Sequence, residues 1–309
     1  PLTSALRAEG SQTISNFCRF YFYYRGVHAK GSHTGYIYCW IYTFIAGKII
    51  MSSKAKPKKF CGKFFRMKVD LDKIKKLPPD IKKDFMKLYL KHAEKKKIEK
   101  INVDFLSFVK HVWPDFIEGP HHKKIADKFN KLAQGKIKRL IINMPPRHTK
   151  SEFASYLLPA WMIGQKPNLK IIQTTHTTEL AVRFGRKAKT LIDSQEYQEV
   201  FRTKLREDSQ AAGKWETAQG GEYYAAGVGS AITGRGADLL IIDDPHSEQD
   251  ALNLQALERA YEWYTSGPRQ RLQPGGAIVL VMTRWNTKDL TGALIRAQGE
   301  AKADQWEVV

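Results

Sequence analysis

Leu140–Glu152 reads LIINMPPRHTKSE, and the rest of the chain is interpreted outward from it. An apolar run ends at Met144, a Pro-Pro-Arg-His-Thr turn follows, and Lys150-Ser151 opens a helix. Strand, tight loop and Lys-Ser at a helix start form the layout of a phosphate-binding loop. In such a loop the backbone amides and the helix dipole attract a polyphosphate. Lys150 then reaches the terminal phosphates, and the Ser151 hydroxyl binds Mg²⁺. The pattern GxxxxGK[ST] is met imperfectly, because Met144 and Thr149 occupy the two glycine positions.

A second stretch complements the first. Leu239–Pro245 reads LLIIDDP, four apolar residues that end in two carboxylates. Such a strand is expected beside the phosphate-loop strand. Its first acid, Asp243, suits the metal, and Asp244 suits a base that polarises the water attacking the γ-phosphate. Asp is shorter than the usual Glu at that second place. A strand that merely ends in Asp at a turn is the plain alternative for this stretch alone; in order with the loop, the two point to nucleotide hydrolysis.

Three further stretches carry candidates. Val281–Trp285 (VMTRW) ends the last apolar strand. Thr283 there can sense the γ-phosphate, Arg284 can transmit that state or contact phosphate, and Trp285 is expected to pack. Ile232–Ala237 (ITGRGA) presents Arg235 between two glycines, either to DNA phosphate, to a neighbouring subunit's nucleotide, or as an ordinary turn. Arg147 in the loop is its rival for stabilising charge in cis. His121-His122 precedes the first strand and either meets an adenine edge or is a helix start with exposed histidines. No Cys, His or Asp at ligand spacing accompanies it.

Composition narrows the partners. The chain has 309 residues, a net charge of +20 and a pI of about 9.7. That excess favours a polyanion, nucleic acid before an acidic membrane, over a merely soluble basic surface. Residues 51–100 hold 18 Lys and Arg against 6 Asp and Glu, and 80–97 form a surface helix with a basic face, for DNA phosphates or for solvent. The cysteines, Cys18, Cys39 and Cys61, show neither metal nor disulfide spacing, which fits a reducing compartment. The aromatic run 36–46 is short against the roughly 20 apolar residues of a membrane span. Met51 resembles a natural start, so 1–50 is expected to be a non-native or disordered leader, with a membrane anchor the alternative.

From Lys138 onward apolar strands alternate with helices. Strands are expected at 139–143, 169–174, 238–242 and 277–283, a hairpin at 215–217 and 222–226, and helices at 150–162, 179–194, 251–264 and 287–298. This alternation implies a mostly parallel α/β sheet covered on both faces, with its ligand at the strands' carboxyl ends. The helices 104–112 and 122–134 lead into it.

Taken together, GPHH, MPPRHTKSE, TGRGADLLIIDDP, RLQPGGAIVLVMTRWNTKDLTG and the closing WEVV resemble the ATPase part of the large subunit of tailed-bacteriophage terminase, from about Phe105 to the end. The resemblance implies an additional-strand, RecA-like P-loop fold over 105–309, preceded by the basic segment 51–104 and truncated before a nuclease domain. It implies ATP and Mg²⁺ as cofactors, with Pro146, Arg147, His148, Thr149, Lys150, Ser151, His121 and His122 around the nucleotide. Ser151 and Asp243 would hold the metal. Asp244, Arg147, Thr283, Arg284 and Arg235 would serve catalysis and its coupling to movement. The implied partners are double-stranded DNA, the procapsid portal, the terminase small subunit and further copies in a ring, in the host cytoplasm and without a membrane. A helicase-like translocase and a non-catalytic DNA-binding protein are the alternatives. Thr149, in place of the family's glycine, is unstrained at negative φ and strained in a left-handed backbone.

Overall fold

The computed structural model describes residues 78–309 except Thr233, Ala301 and Lys302, and gives the side chain of all these but Gln210. The expected leader 1–50 and the first part of the basic segment lie outside the described residues. Helix α1 (Pro79–Val103) begins with a proline at its first turn, where a missing N–H costs nothing. It is longer than expected, and only Ile101 near its end is buried. Asp104 ends it and caps α2 (Phe105–Val112), accepting from Ser107 N–H. Helix α3 (Pro120–Ala133) stops at Gly135, which takes φ +73° just beyond the cap.

Eight strands follow in one sheet, ordered β3-β4-β5-β2-β6-β7-β1-β8. Strand β1 (Arg139–Asn143) lies between β7 (Leu272–Met282) and the short β8 (Glu307–Val308). Strand β2 (Lys170–Thr175) lies between β5 (Glu222–Gly227) and β6 (Ala237–Asp243), and β6 pairs with β7. These six strands are parallel; β3 (Leu205–Ala211) and β4 (Lys214–Thr217) add an antiparallel edge. The acidic strand is therefore not beside the phosphate-loop strand, as its pattern led one to expect. Strand β7 separates them, the additional strand of the implied fold class.

The apolar runs follow from burial on both faces. Leu140, Ile142, Ile171, Leu239, Ile241, Val279 and Val281 point into one core, with Phe105, Phe108, Phe129, Phe153 and Trp161. Their neighbours Ile141, Ile172, Leu240, Ile242, Ile278 and Leu280 point into the other, with Tyr264, Leu290 and Leu294. Alternate side chains leave a strand on opposite sides, so a strand apolar at every position needs a cover on each. Helices α4 (Leu158–Gln165), α5 (Thr178–Asp193) and α6 (Gln195–Phe201) join α2 and α3 on the first side. Helices α7 (Leu254–Ser266) and α8 (Leu290–Ala297) cover the second.

Three differences from the periodicity have local causes. The helix expected over 150–162 contains a π-turn at Glu152–Leu157 before α4. Helix α7 starts later than expected because Asn253 caps it, accepting from Gln255 and Ala256 N–H. Likewise α8 starts where Asp289 accepts from Gly292 N–H. Strand β3, with the consecutive charges Arg206, Glu207 and Asp208, carries no apolar period and is not expected from the sequence.

Candidate nucleotide and metal site

Register brings the candidates to one edge. Asn143 pairs with Met282 and Asp243 with Val281, so the phosphate loop, the acidic pair and Thr283 leave the sheet together. Lys150, buried at 7% exposure, points its ammonium at Asp244 Oδ2, 2.7 Å away. The other oxygen, Asp244 Oδ1, accepts from Thr283 N–H at 2.8 Å. Thr283 Oγ1 donates to the Met144 carbonyl at 3.1 Å, tying the end of β7 to the loop. Lys150, Asp244, Thr283 and the loop thus form one contiguous network.

Asp243 sits just below. Its Oδ1 accepts from Ser151 Oγ at 2.9 Å and its Oδ2 from Ser155 Oγ at 2.7 Å. Gln173 Nε2 donates to that same Ser155 hydroxyl at 2.9 Å, from the middle of β2. Burial, and then the neighbouring Asp244 charge, push the Asp243 carboxyl up to about 7, against the two serines and Lys150. Neither Ser155 nor Gln173 was singled out from the sequence. Gln173 had a signal, as the polar residue of an otherwise apolar run (LKIIQT). Ser155 had none before the π-turn placed it under the acid.

Both side chains bonded to Asp243 are hydroxyls, and such an oxygen set suits a hard divalent cation. Mg²⁺ commonly uses one or two protein oxygens and completes its shell from phosphates and water. Ser151 and Asp243 therefore fit the ion that the motif implies. Among the described residues no group of three or more His, Cys, Asp or Glu is arranged to hold a metal.

Backbone strain gathers here. Among non-glycine residues Arg147 (φ +62°), Thr149 (φ +63°) and Asp244 (φ +40°) are left-handed, and Arg202 is the fourth described case. Thr149 therefore takes the conformation in which it is strained, and the loop keeps the shape that its absent glycine would have taken freely. Such outliers persist only where surrounding contacts over-determine them.

The remaining candidates divide. Arg147 and His148 are exposed on the loop, with His148 Nδ1 2.9 Å from the Pro146 carbonyl. His122 is buried at 5% exposure, and both its ring nitrogens are engaged, with Gly119 N–H at 2.8 Å and Thr149 Oγ1 at 2.7 Å. An adenine edge finds no free nitrogen on that ring; His121, its ring tilted at 47° with centres 3.8 Å apart, is the outer of the two. Arg284 is held by Asp289, Nε to Oδ2 at 2.8 Å, and that acid is 1% exposed. Trp285, expected to pack, is 42% exposed.

Arg235 lies apart from the other candidates. It precedes β6, whereas Asp243 ends it, so the two lie at opposite edges of the sheet. Its guanidinium pairs with Glu222 and lies 3.9 Å from the Tyr224 ring centre. Seven residues of extended strand span roughly 20 Å, so Arg235 cannot reach this chain's own phosphate site.

His246 and Asp289 form a support that the sequence did not reveal. His246 Nε2 accepts from Leu290 N–H at 3.0 Å, and burial lowers its pKa, which keeps that nitrogen free to accept. No helix among the described residues is long and apolar enough to cross a membrane.

No protein-family model matches the chain, and no curated protein matches it. Among solved structures it is similar to the large terminase of bacteriophage HK97, with 15% identity over 60% of this chain and a TM-score of 0.39. The match covers 37% of that protein's chain.

Proposed function

We propose that this chain is an ATP-hydrolysing motor subunit that moves double-stranded DNA. The observation that carries the reading is the convergence of Lys150, Ser151, Asp243, Asp244 and Thr283 beyond the carboxyl ends of three adjacent strands, β1, β6 and β7, with β7 in the middle. Lys150 binds the β- and γ-phosphates, together with the loop amides and the N-terminus of the following helix. Ser151 and Asp243 would hold Mg²⁺, which when bound would neutralise charge on the phosphate oxygens. Asp244 orients the attacking water once Lys150 has moved from its carboxylate to the phosphates. Thr283 then joins three things: its N–H holds Asp244, its hydroxyl holds the loop, and its strand leads to Arg284. The Arg284–Asp289 pair at the start of α8 is the path by which a change at the phosphates reaches that helix. Arg147 stabilises developing charge in cis, and Arg235 serves a neighbouring subunit or DNA.

The net charge of +20 supports a nucleic-acid partner gripped through its backbone, without base reading. The set of motifs resembling terminase narrows the motor to packaging viral DNA. Its partners are then the procapsid portal, the small subunit and further copies in a ring. The ATPase domain is 105–309, with 51–104 as a basic segment before it.

The test is ATP turnover by the chain with and without double-stranded DNA, beside Lys150→Ala and Asp244→Asn. Turnover raised by DNA and lost in both variants is expected. Equal turnover in all three proteins would sink the catalytic assignment and leave a DNA-binding protein with a degenerate pocket. Strand separation without packaging would favour a helicase.

A further inference from the structure

Thr149 stands directly before the phosphate lysine, and its left-handed backbone is strained for a residue with a Cβ. The hydrogen bonds around it show what holds it there. Gly119 N–H donates to His122 Nδ1 at 2.8 Å, so that nitrogen carries no proton. The proton of the neutral ring is then on Nε2, which lies 2.7 Å from Thr149 Oγ1. The Thr149 hydroxyl spends its own proton on the His148 carbonyl at 2.6 Å. Donors and acceptors therefore run in one direction, from Gly119 through His122 and Thr149 to the loop backbone.

The ring has no room to turn away. Phe116 lies 4.7 Å from its centre and Phe153, on the π-turn behind the loop, 5.0 Å. Burial, followed by the neighbouring His121, pushes its pKa down to about 4, so the neutral form that the chain of bonds requires is the resting one.

We propose that His122 is a positioning residue of the phosphate loop: its Nε2-protonated ring locks Thr149 in the left-handed conformation that aims the loop amides and Lys150 at a polyphosphate. His122 touches no nucleotide itself. A threonine held by a histidine replaces the conformational freedom of a glycine. The inference rests on the reading that this loop binds nucleotide, and its test has one arm that does not.

That first arm is long-range ¹⁵N NMR of the histidines in the full chain. A neutral His122 with its proton on Nε2 is expected, and Thr149→Val shifts that nitrogen's resonance. A proton on Nδ1, or no response to Thr149→Val, overturns the lock.

The second arm measures binding of a fluorescent ADP analogue, and KM and kcat for ATP. His122→Ala weakens binding and raises KM about tenfold, the scale of one lost hydrogen bond with its released strain, and moves KM more than kcat. His122→Gln, which keeps an N–H donor, recovers part of the loss. In a Thr149→Gly background His122→Ala has no further effect, because glycine needs no lock. An equal effect in both backgrounds overturns the proposal. If the wild type binds no nucleotide, the functional reading falls, and the tautomer and its response to Thr149→Val still decide the lock.

Discussion

Asp244→Asn separates what Asp244 does at rest from what it does in turnover. At rest it is the partner of Lys150, with 2.7 Å between charges and side-chain exposures of 7% for the lysine and 38% for the acid. Fully exposed pairs contribute about 0–1 kcal/mol, whereas breaking a buried one costs about 3–5 kcal/mol. This pair lies between those limits. Asp243, buried beside it, is relieved of a like charge when Asp244 is neutral, which offsets part of the loss. The net cost is about 1–2 kcal/mol, taken toward the lower limit because water screens the acid. For a domain of this size that lowers Tm by about 2–8 °C. Calorimetry without nucleotide measures it directly. Saturating Mg-ATP then narrows the gap between variant and wild type, because phosphate becomes the lysine's partner. Turnover meanwhile falls about 10²–10⁴-fold, the usual contribution of a positioned base. An unchanged Tm without nucleotide, or a gap that nucleotide leaves as wide, would refute the shift of Lys150 from carboxylate to phosphate.

Ser155→Ala removes the donor to Asp243 Oδ2 and strands Gln173 Nε2. A loss of about 1.5–3 kcal/mol in urea denaturation is expected, with the Mg²⁺ dependence of turnover moved to higher concentration. Gly292→Ala puts a Cβ 1.9 Å from the Thr287 carbonyl oxygen and 3.3 Å from Arg284 Nη2. Overpacking there costs about 1–3 kcal/mol and loosens Arg284 from Asp289, so calorimetry and DNA-stimulated turnover both register it. The low pKa of His122 has a definite sign. The folded value, about 4, lies below the ordinary 6.5, so its contribution is complete above about pH 6.5 and declines as pH falls toward 4. Among the groups facing it, His121 and His148 favour the neutral ring and Glu118 favours the charged one. His122→Gln flattens this acid limb in urea denaturation followed against pH.

Much of the fold was legible because both faces of its sheet are covered. Strands such as Leu239–Ile242 are apolar at every position, and that run survives any choice of register. The edge strand β3 was illegible for the converse reason: a half-exposed strand with Arg206, Glu207 and Asp208 has no apolar period. Helix starts were displaced where short polar side chains, Asn253 and Asp289, took the cap. Such caps compete with the periodic signal without altering it.

The chemistry of the candidate site divides along the same line. The amino-acid order alone placed Lys150-Ser151 after one apolar strand and Asp243-Asp244 after another, because local polarity ends a strand and local spacing sets a loop. It could not place β7 between them, since strand order is decided by packing between segments more than a hundred residues apart. Nor could it assign His122 to the loop, put Ser155 and Gln173 beneath the acid, or send Arg235 to the far edge. Each depends on which side chains the tertiary fold brings within hydrogen-bond reach. The left-handed Thr149 is the clearest case: its residue type argues for negative φ, and only the histidine packed behind it decides otherwise.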